Sequence, residues 1–303
     1  YTIDKRNIDG TQFALEGNSV PPGTSFGVHQ ESKTFKSPSW RLSIDQELSD
    51  HVLVYARYDR GFKSGSFNTS APFQAAVRPE KLDAFEVGVK SELFHRVVRL
   101  NLAAFHYNYR DIQLGKAAGD GTNQLLNAAR AKINGGEAEL TVAPPLGDID
   151  LQLTSGLSIL DSKYSEFTGG PFSVPTGIGG NIQGNRDLSG NDLIRAPKFT
   201  LDIGASIKVP VGENAVGGSV SYYHNDGFYW EPDNRTRQRA YDTLAAQIYF
   251  DFGRDQMFRV RAFGRNLTNA KYSTYALTTA LGDIAAAAPP RTYGVGLGFK
   301  FCL

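Results

Sequence analysis

Residues 199–209 read FTLDIGASIKV, and along this stretch apolar and polar side chains alternate with a period of two. This is the period of a β-strand, because successive side chains of a strand point to opposite faces of the sheet. Helical spacing is not sustained anywhere, and the best helical candidate is the alanine run 285–288, which Pro289 and Pro290 end. The sequence therefore predicts an all-β fold, since the same alternation recurs at 40–48, 85–93, 149–159 and 293–303.

The overall composition excludes several classes of protein. The 303 residues include 32 Lys and Arg against 31 Asp and Glu, so the chain lacks the basic excess of a nucleic-acid-binding protein. Hydrophobic residues make up 41% and aromatic residues 12% of the chain, too much for a disordered protein. No stretch approaches the ~18 uncharged apolar residues that a membrane-spanning helix needs. The single cysteine, Cys302, cannot form a disulfide within the chain.

Short and long connections alternate between about twelve predicted strands. Soluble sandwiches and propellers have no reason for such alternation, whereas a transmembrane barrel has tight turns on one side of the membrane and long loops on the other. Most of the strands also exceed the ~9–11 residues that a tilted strand needs to cross a bilayer. We therefore predict a transmembrane, antiparallel, up-and-down β-barrel. The strands are predicted at 1–8, 36–48, 51–61, 81–93, 97–114, 123–143, 147–163, 197–210, 215–229, 236–252, 257–269 and 290–303. The long loops are predicted at 9–35, 62–80, 115–122, 164–196, 230–235 and 270–289.

The rival interpretation is a large soluble β-protein with one face on a core and one in water, which has the same period. Charge confined to one face over several strands favours the membrane, as does the alternation of loop lengths. Aromatic residues also cluster near strand ends, as the girdles of membrane barrels do at the lipid headgroups. These clusters are Phe105, Tyr107 and Tyr109; Tyr222, Tyr223, Phe228, Tyr229 and Trp230; and Tyr249, Phe250 and Phe252.

Several segments, taken in order, resemble those of one protein family. Residues 60–68, RGFKSGSFN, are similar to the GFKxGxFN loop that follows a strand in TonB-dependent outer-membrane receptors. Further similar segments are Pro79-Glu80 with 85–90, 101–113, Asn127 with 135–139, Ala196-Pro197, 264–269 with Tyr272, and 290–293. Together they cover nearly all of residues 1–303, and the chain resembles that family throughout.

The resemblance implies both a fold and a function. Members of the family are twenty-two-stranded barrels closed by an N-terminal plug domain. They import scarce ligands, usually ferric siderophores, with energy from the TonB complex, which contacts a short box ahead of the plug. We expect residues 1–303 to be a single domain, the C-terminal part of such a barrel. The plug, the box and the first strands have no counterpart in this sequence, and Tyr1 reads as the end of a mid-barrel strand.

The candidate ligand-binding residues lie around one long loop, at 226–239. Aromatic rings and arginines there offer stacking faces and fork-shaped donors, which suit an anionic or aromatic chelate. The alternative is a girdle followed by a solvated loop, in which Asp226, Glu231 and Asp233 offset the arginines. Loop 164–196 carries seven glycines and is either a mobile lid or merely a flexible loop. The candidate ligand-binding residues are Phe228, Tyr229, Trp230, Arg235 and Arg237.

Two further groups of residues are predicted from their positions on strands. The first group is charged and lies on the lumen-facing side, where three roles are open: binding the plug, lining a channel, or pairing with one another. Its members are Arg41, Glu86, Lys90, Glu137 and Glu139. At the C-terminus, the resemblance implies a signal that the barrel-assembly machinery reads. Its residues here are Phe299, Phe301 and Leu303, although an ordinary amphipathic last strand explains the same residues.

The leading functional hypothesis is an outer-membrane receptor of a Gram-negative bacterium for TonB-dependent uptake of a ferric siderophore or similar nutrient. The alternatives are a passive porin-like channel and an outer-membrane adhesin or enzyme. The five histidines form no metal-ligand spacing such as HExxH, and no GxSxG motif occurs, so we expect neither an enzyme nor a cofactor or metal site. The expected partners are an iron chelate, the TonB complex, outer-membrane lipid and the barrel-assembly machinery, and no nucleic acid.

Overall fold

The structure is a computed structural model that describes residues 1–13, 25–69, 73–117 and 123–300. Apart from one turn of 3-10 helix at Arg254–Gln256, its regular elements are strands. They are β1 (Thr2–Phe13), β2 (Ser25–Ser37), β3 (Trp40–Ser49), β4 (Val52–Lys63), β5 (Glu80–Leu93), β6 (Val98–Ala117), β7 (Asn123–Val142), β8 (Asp150–Glu166), β9 (Gly170–Pro175), β10 (Asn181–Arg186), β11 (Phe199–Val211), β12 (Asn214–Tyr229), β13 (Arg237–Phe252), β14 (Phe258–Arg265), β15 (Ser273–Thr279), β16 (Gly282–Ala287) and β17 (Thr292–Phe299). The described part of the chain contains no helix with the length and hydrophobicity of a membrane span.

Eleven of these strands form one antiparallel sheet, in the order β3-β4-β5-β6-β7-β8-β11-β12-β13-β14-β17. Each strand therefore pairs with the next sheet strand along the chain, and the hairpins β9–β10 and β15–β16 are inserted between neighbours. The prediction of an all-β, up-and-down antiparallel sheet is confirmed.

The strand near the N-terminus is where the prediction and the structure differ most. Within the predicted loop 9–35, the described residues 9–13 and 25–35 are strand, because β1 extends to Phe13 and pairs with β2 as a separate hairpin. The predicted strand 36–48 is divided at Pro38, which has no backbone N–H to donate to a ladder. The main sheet therefore has eleven strands in the described residues, where twelve strands were predicted for the barrel.

Two other predicted loops contain hairpins, and the best helical candidate of the sequence lies in one of them. Loop 164–196 contains β9 and β10, and loop 270–289 contains β15 and β16. The alanine run 285–288 lies mostly in β16, where Ala285 and Ala286 pair with Ala276 and Tyr275. A run of four residues is too short to repay helix nucleation, whereas pairing in a hairpin uses its backbone groups at once.

The two faces of the main sheet differ in chemistry. Cross-strand partners share a face, so the pairing of Ile44 with Ala56 and of Ala56 with Val87 defines an apolar face. On this face Val295 is 74% and Leu297 87% exposed. A continuous exposed apolar surface of this extent matches the lipid-facing side of a barrel wall. The opposite, polar face carries charged residues of the same strands, such as the cross-strand pair of Arg57 and Glu86.

The buried apolar side chains lie under the long connections, not between two layers of sheet. One cluster contains Phe35, Phe67 and Ala76, with Ile8 packed against it, and joins the β1–β2 hairpin to loop 64–79. The larger cluster joins the extended ends of β6, β7 and β8 to the connection before β11. It consists of Ile112, Ala129, Ala131, Tyr164, Phe167 and Leu188.

Candidate functional site

The long connections at one end of the sheet are bonded to one another, and we call 167–198, 230–236 and 266–291 the loop cluster. The Asn181 amide donates to the Thr279 carbonyl at 2.8 Å and to Asp283 at 3.1 Å. The Ser173 N–H donates to Asp233 at 3.0 Å, which ties β9 to the loop after β12. Loop 164–196 is therefore held by its neighbours through specific polar contacts.

Arg235 is the central connector of the loop cluster. Its Nη1 donates to Asp283 Oδ2 at 2.7 Å, its Nη2 donates to Asp283 Oδ1 at 2.6 Å, and Nη2 also donates to the Thr278 hydroxyl at 3.1 Å. The hydrogen bond with Asp283 raises the pKa of Arg235 and holds the pKa of Asp283 below its usual value. Because its guanidinium is engaged in this bidentate pair, Arg235 links two loops and has few donors left for a ligand.

Glu231 lies in the same cluster but behaves differently from Asp283. Its carboxylate accepts a hydrogen bond from the Thr278 N–H at 3.3 Å. Burial raises the pKa of the Glu231 carboxyl, against the smaller effects of that hydrogen bond and of nearby arginines. The ionised form of Glu231 is therefore disfavoured in the folded loops.

The three aromatic candidates do not occupy equivalent positions. Trp230 is only 6% exposed, and its ring lies edge-on to Phe228 at 4.9 Å and under the Arg195 guanidinium at 5.3 Å. These contacts make Trp230 part of the loop packing. Tyr229, by contrast, is half-buried and pairs across the strands with Arg237, whose guanidinium lies 5.7 Å from the Tyr229 ring.

Tyr229 and Arg237 begin a strip along the polar face of β12 and β13. Below them, Arg239 pairs with Gly227 and Tyr241 with Asn225 on the same face. Tyr241 stacks on Tyr272 with ring centroids 4.3 Å apart and planes within 3°. We call Tyr223, Tyr229, Arg237, Arg239, Tyr241 and Tyr272 the aromatic–arginine strip.

Tyr241 and Tyr272 were not among the predicted site residues. The alternating phase of 236–252 could have indicated Tyr241, because it lies four residues from Arg237 on the same face. Tyr272 lies in a connection outside the strand pattern, so its stacking on Tyr241 had no signal in the sequence.

The arginines of the strip lack acidic partners. Arg237 and Arg239 are exposed, and neither forms an ion pair with a carboxylate in the part of the chain that the structure describes. Arg237 makes one long contact, at 3.4 Å, with the Asp226 carbonyl. Two guanidinium groups two residues apart on one strand face therefore leave uncompensated positive charge beside aromatic rings, an arrangement suited to an anionic, ring-containing ligand.

The predicted lumen residues all lie on the polar face, and most of them have partners. Arg41 pairs with Asp59 at 2.5 Å. Glu86 accepts from Arg57 Nη2 and from the Tyr55 hydroxyl, both at 2.7 Å. Lys90 lies 5.7 Å from the Tyr55 ring centroid, and Glu139 accepts from the Asn101 amide at 3.3 Å. Glu137 is exposed and makes no ion pair among the described residues. Pairing within the wall thus accounts for Arg41 and Glu86.

Of the predicted assembly signal, only Phe299 falls within the described residues. It is the last residue of β17, pairs with Phe258 and is 57% exposed on the apolar face. Phe301 and Leu303 lie outside the described residues. Nor do three His, Cys, Asp or Glu side chains come together as metal ligands in the described ranges.

Comparison with solved structures finds the same fold in several receptors for ferric chelates and siderophores. The chain is similar in structure to the ferric yersiniabactin uptake receptor FyuA from Yersinia pestis, with 20% identity, a TM-score of 0.76 and coverage of 99% of this chain and 42% of FyuA. It is similar to the siderophore receptor PiuA from Acinetobacter baumannii, with 16% identity, a TM-score of 0.69 and coverage of 99% and 40%. A third similar structure is BauA, the ferric preacinetobactin receptor from Acinetobacter baumannii, with 18% identity, a TM-score of 0.63 and coverage of 94% and 38%.

These likenesses show the fold, and the chain spans about two fifths of the length of the proteins it matches. No curated protein matches the sequence. The model of the family described as TonB dependent receptor-like, beta-barrel, matches residues 7–267, which is most of the chain. The chain therefore belongs to the TonB-dependent receptor β-barrel family.

Proposed function

We propose that residues 1–303 form the C-terminal part of an outer-membrane receptor that takes up a ferric siderophore or a similar iron chelate. Uptake would be energised by the TonB complex through an N-terminal region outside this chain. The observation that carries the proposal is the aromatic–arginine strip, because it puts unneutralised guanidinium groups and aromatic rings on the polar face next to the loop cluster. The named relatives are receptors for ferric chelates, which supports the same class of ligand.

The chemistry of the strip fits a ferric chelate. Many such chelates carry negative charge and planar rings, and arginine donates to anionic oxygens while it also stacks on ring faces. A guanidinium that already lies over an aromatic ring, as Arg237 lies over Tyr229, is partly pre-oriented for this contact. The polar face lines the lumen of a closed barrel, so the strip would meet a ligand that enters between the loops.

The remaining residues of the polar face suit contact with a plug. Lys90, Glu137 and Glu139 are exposed and incompletely paired within the wall, so they have donors and acceptors free for another domain. The apolar face would contact outer-membrane lipid, and Phe299 belongs to the strand that the assembly machinery would recognise. The protein acts in this proposal as a transporter, not as an enzyme.

Uptake of radioactive iron by cells that carry the complete receptor gene tests the proposal. The probes are ferric yersiniabactin, ferric preacinetobactin and ferric citrate, supplied to an iron-limited strain with and without TonB. We expect uptake of at least one probe and its loss in the strain without TonB. The double variant Arg237→Ala with Arg239→Ala should bind that probe about ten- to a hundredfold more weakly, since each substitution removes charge-assisted hydrogen bonds.

Arg254→Ala is the matched control, because Arg254 is an arginine at the turn between β13 and β14, at the opposite end of the sheet. Its uptake should equal that of the wild type. Uptake that persists without TonB would instead favour a passive channel. If none of the iron chelates is taken up, the proposed function is wrong. If the double variant transports normally, the strip does not bind the ligand.

A further inference from the structure

The apolar face carries a patch of basic side chains near the loop end of the sheet. A row of cross-strand partners runs from Arg60 through Asp83, Asn108 and Lys132 to Lys163, so all five residues share this face. Arg110 and Arg130 lie near the row on the same side, where Arg110 contacts Asp83 and Arg130 contacts Glu166. We call Arg60, Lys81, Arg110, Arg130, Lys132 and Lys163 the outer basic patch.

The most informative feature of the patch is a pair of lysines. Lys132 of β7 lies directly opposite Lys163 of β8. Like charges in directly opposed positions destabilise a sheet. Both side chains are exposed, and neither forms an ion pair in the part of the chain that the structure describes. The backbone-bridge partner of Lys163 is Asp192, but its carboxylate pairs with Lys198 at 3.0 Å.

The acidic residues on this face do not neutralise the patch. Arg60 donates to Asp83 Oδ1 at 2.5 Å, and Arg110 donates to the other oxygen of the same carboxylate, so two cations share one anion. Besides Asp83, this region of the face holds the carboxylates of Asp161 and Glu166. Six cationic side chains therefore face three carboxylates, and the excess charge is positive.

The position of the patch along the strands points to a lipid. One row below it lie Tyr58, Phe85 and His106 on β4 to β6, followed by Asn134 and Asp161 on β7 and β8. The next row down is apolar, with Ala56, Val87 and Ala104. This is the order of a barrel wall read outward from the bilayer core: apolar side chains, then aromatic side chains at the interface, then charges at the headgroups. A soluble anion has no reason to bind directly above an apolar wall, whereas an anionic lipid can place its acyl chains on that wall.

An open, concave space of about 560 Å³ lies against the patch. Arg60, Arg110, Arg130 and Lys132 line it together with Phe85 and Tyr58, and Lys163 lies beside it, directly opposite Lys132. We propose that this space binds the phosphate groups of a phosphorylated outer-leaflet lipid, with Lys132 and Lys163 holding one phosphate between them. The phosphate removes the repulsion between the two lysines. This inference rests on the outer-membrane location in the proposed function, but it does not depend on which ligand is imported.

Lipid binding to the purified complete receptor in mild detergent tests the inference. The probe is diphosphoryl lipid A, and the comparison probes are the same lipid without phosphates and inorganic phosphate. We expect the wild type to bind diphosphoryl lipid A at least tenfold more tightly than the dephosphorylated lipid. Lys132→Gln with Lys163→Gln should lose that preference. Lys5→Gln with Lys36→Gln, which removes two exposed lysines from the β1–β2 hairpin, should keep it.

A second variant covers the case in which the double substitution disturbs assembly. Asn108→Asp keeps both lysines and adds a carboxylate to the row between Asp83 and Lys132, so it should also weaken binding of diphosphoryl lipid A. Equal affinity of the wild type and both variants would overturn the inference, as would inorganic phosphate binding as tightly as the lipid. Iron uptake measured on the same variants separates the two proposals, because lost lipid preference with intact uptake concerns the patch alone.

Discussion

Ile203→Arg is the substitution that most directly tests the orientation of the sheet. Ile203 lies on the apolar face of β11, five residues into a strand of 13, and is therefore near the middle of the membrane-crossing segment. It is 48% exposed, and its cross-strand neighbours are Ser155 and Tyr222. An arginine on the lipid-facing side near the bilayer midplane costs about 2–4 kcal/mol. Because each 1.4 kcal/mol is a factor of ten, the folding equilibrium constant should fall by about 30- to 700-fold.

Ser206→Arg is the matched control, since it adds the same side chain to the same strand on the polar face. Ser206 pairs with Gln152 and Ser219, both polar, so its arginine can remain hydrated. Urea titration of the complete receptor in lipid bilayers, followed by heat-modifiable gel mobility, measures both variants. Ile203→Arg should lower the midpoint strongly and Ser206→Arg only slightly. Equal losses, or a larger loss for Ser206→Arg, would refute the assignment of the apolar face to lipid.

Three further predictions concern packing and pH. Gly217→Val should destabilise the wall by about 1–3 kcal/mol in urea titration, because an added Cβ would overlap the Tyr249 ring and lie 2.8 Å from the Ile207 carbonyl oxygen. An unchanged midpoint would contradict this packing. Asp283→Asn should speed amide hydrogen exchange in 230–236. The pKa of Asp283 is lowered, so its ion pair with Arg235 stabilises the loops fully above the ordinary aspartate pKa. This stabilisation is lost as pH falls through the lowered pKa. The variant should therefore lack that acid-sensitive step in hydrogen exchange. Glu231→Gln should slow amide hydrogen exchange in the loops near neutral pH. The pKa of Glu231 is raised, so wild-type loop stability is lost as pH rises through that pKa, and glutamine removes this loss. Faster exchange in the variant would contradict the prediction.

The strands of the main sheet could be predicted because the two faces of each strand lie in different surroundings. In 199–209 one face meets lipid and the other meets water or polar groups, so the alternation in the sequence is strict and the register follows from it. Where that constraint ends, the prediction fails. Residues 170–186 carry glycines and prolines without alternation, yet β9 and β10 form there. Their hairpin is held by bonds to other loops, such as the Asn181 amide with Asp283.

The candidate site was predictable only in part, for the same reason. Tyr229 and Arg237 belong to strands, and their phase places them on one face. The role of Arg235 depends on Asp283, which lies 48 positions away in a different connection, and no local pattern reports that pairing. From the sequence alone, an isolated arginine in a loop is interpreted as a donor available to a ligand, because its partner is visible only in the folded protein. Trp230 is a similar case, because its contacts with Arg195 and Phe228 arise only in the folded cluster and leave no signal in the sequence.

The wall and the loop cluster are stabilised by different forces, which lets one move without the other. In lipid, a broken ladder hydrogen bond finds no water to replace it, so the strands of the wall resist local opening. The loops lie in water and must offset about 1–2 kcal/mol of backbone entropy per ordered residue. Phe167 and Leu188 are almost completely buried, and such side chains contribute about 1.5–3 kcal/mol each. So few buried groups hold the connection before β11 that its opening should cost far less than unfolding of the wall. Except for Tyr272, the aromatic–arginine strip belongs to the wall. In the proposed function a ligand reaches the strip between the loops, so changes in the cluster should alter the rate of ligand entry before they alter the assembly of the barrel.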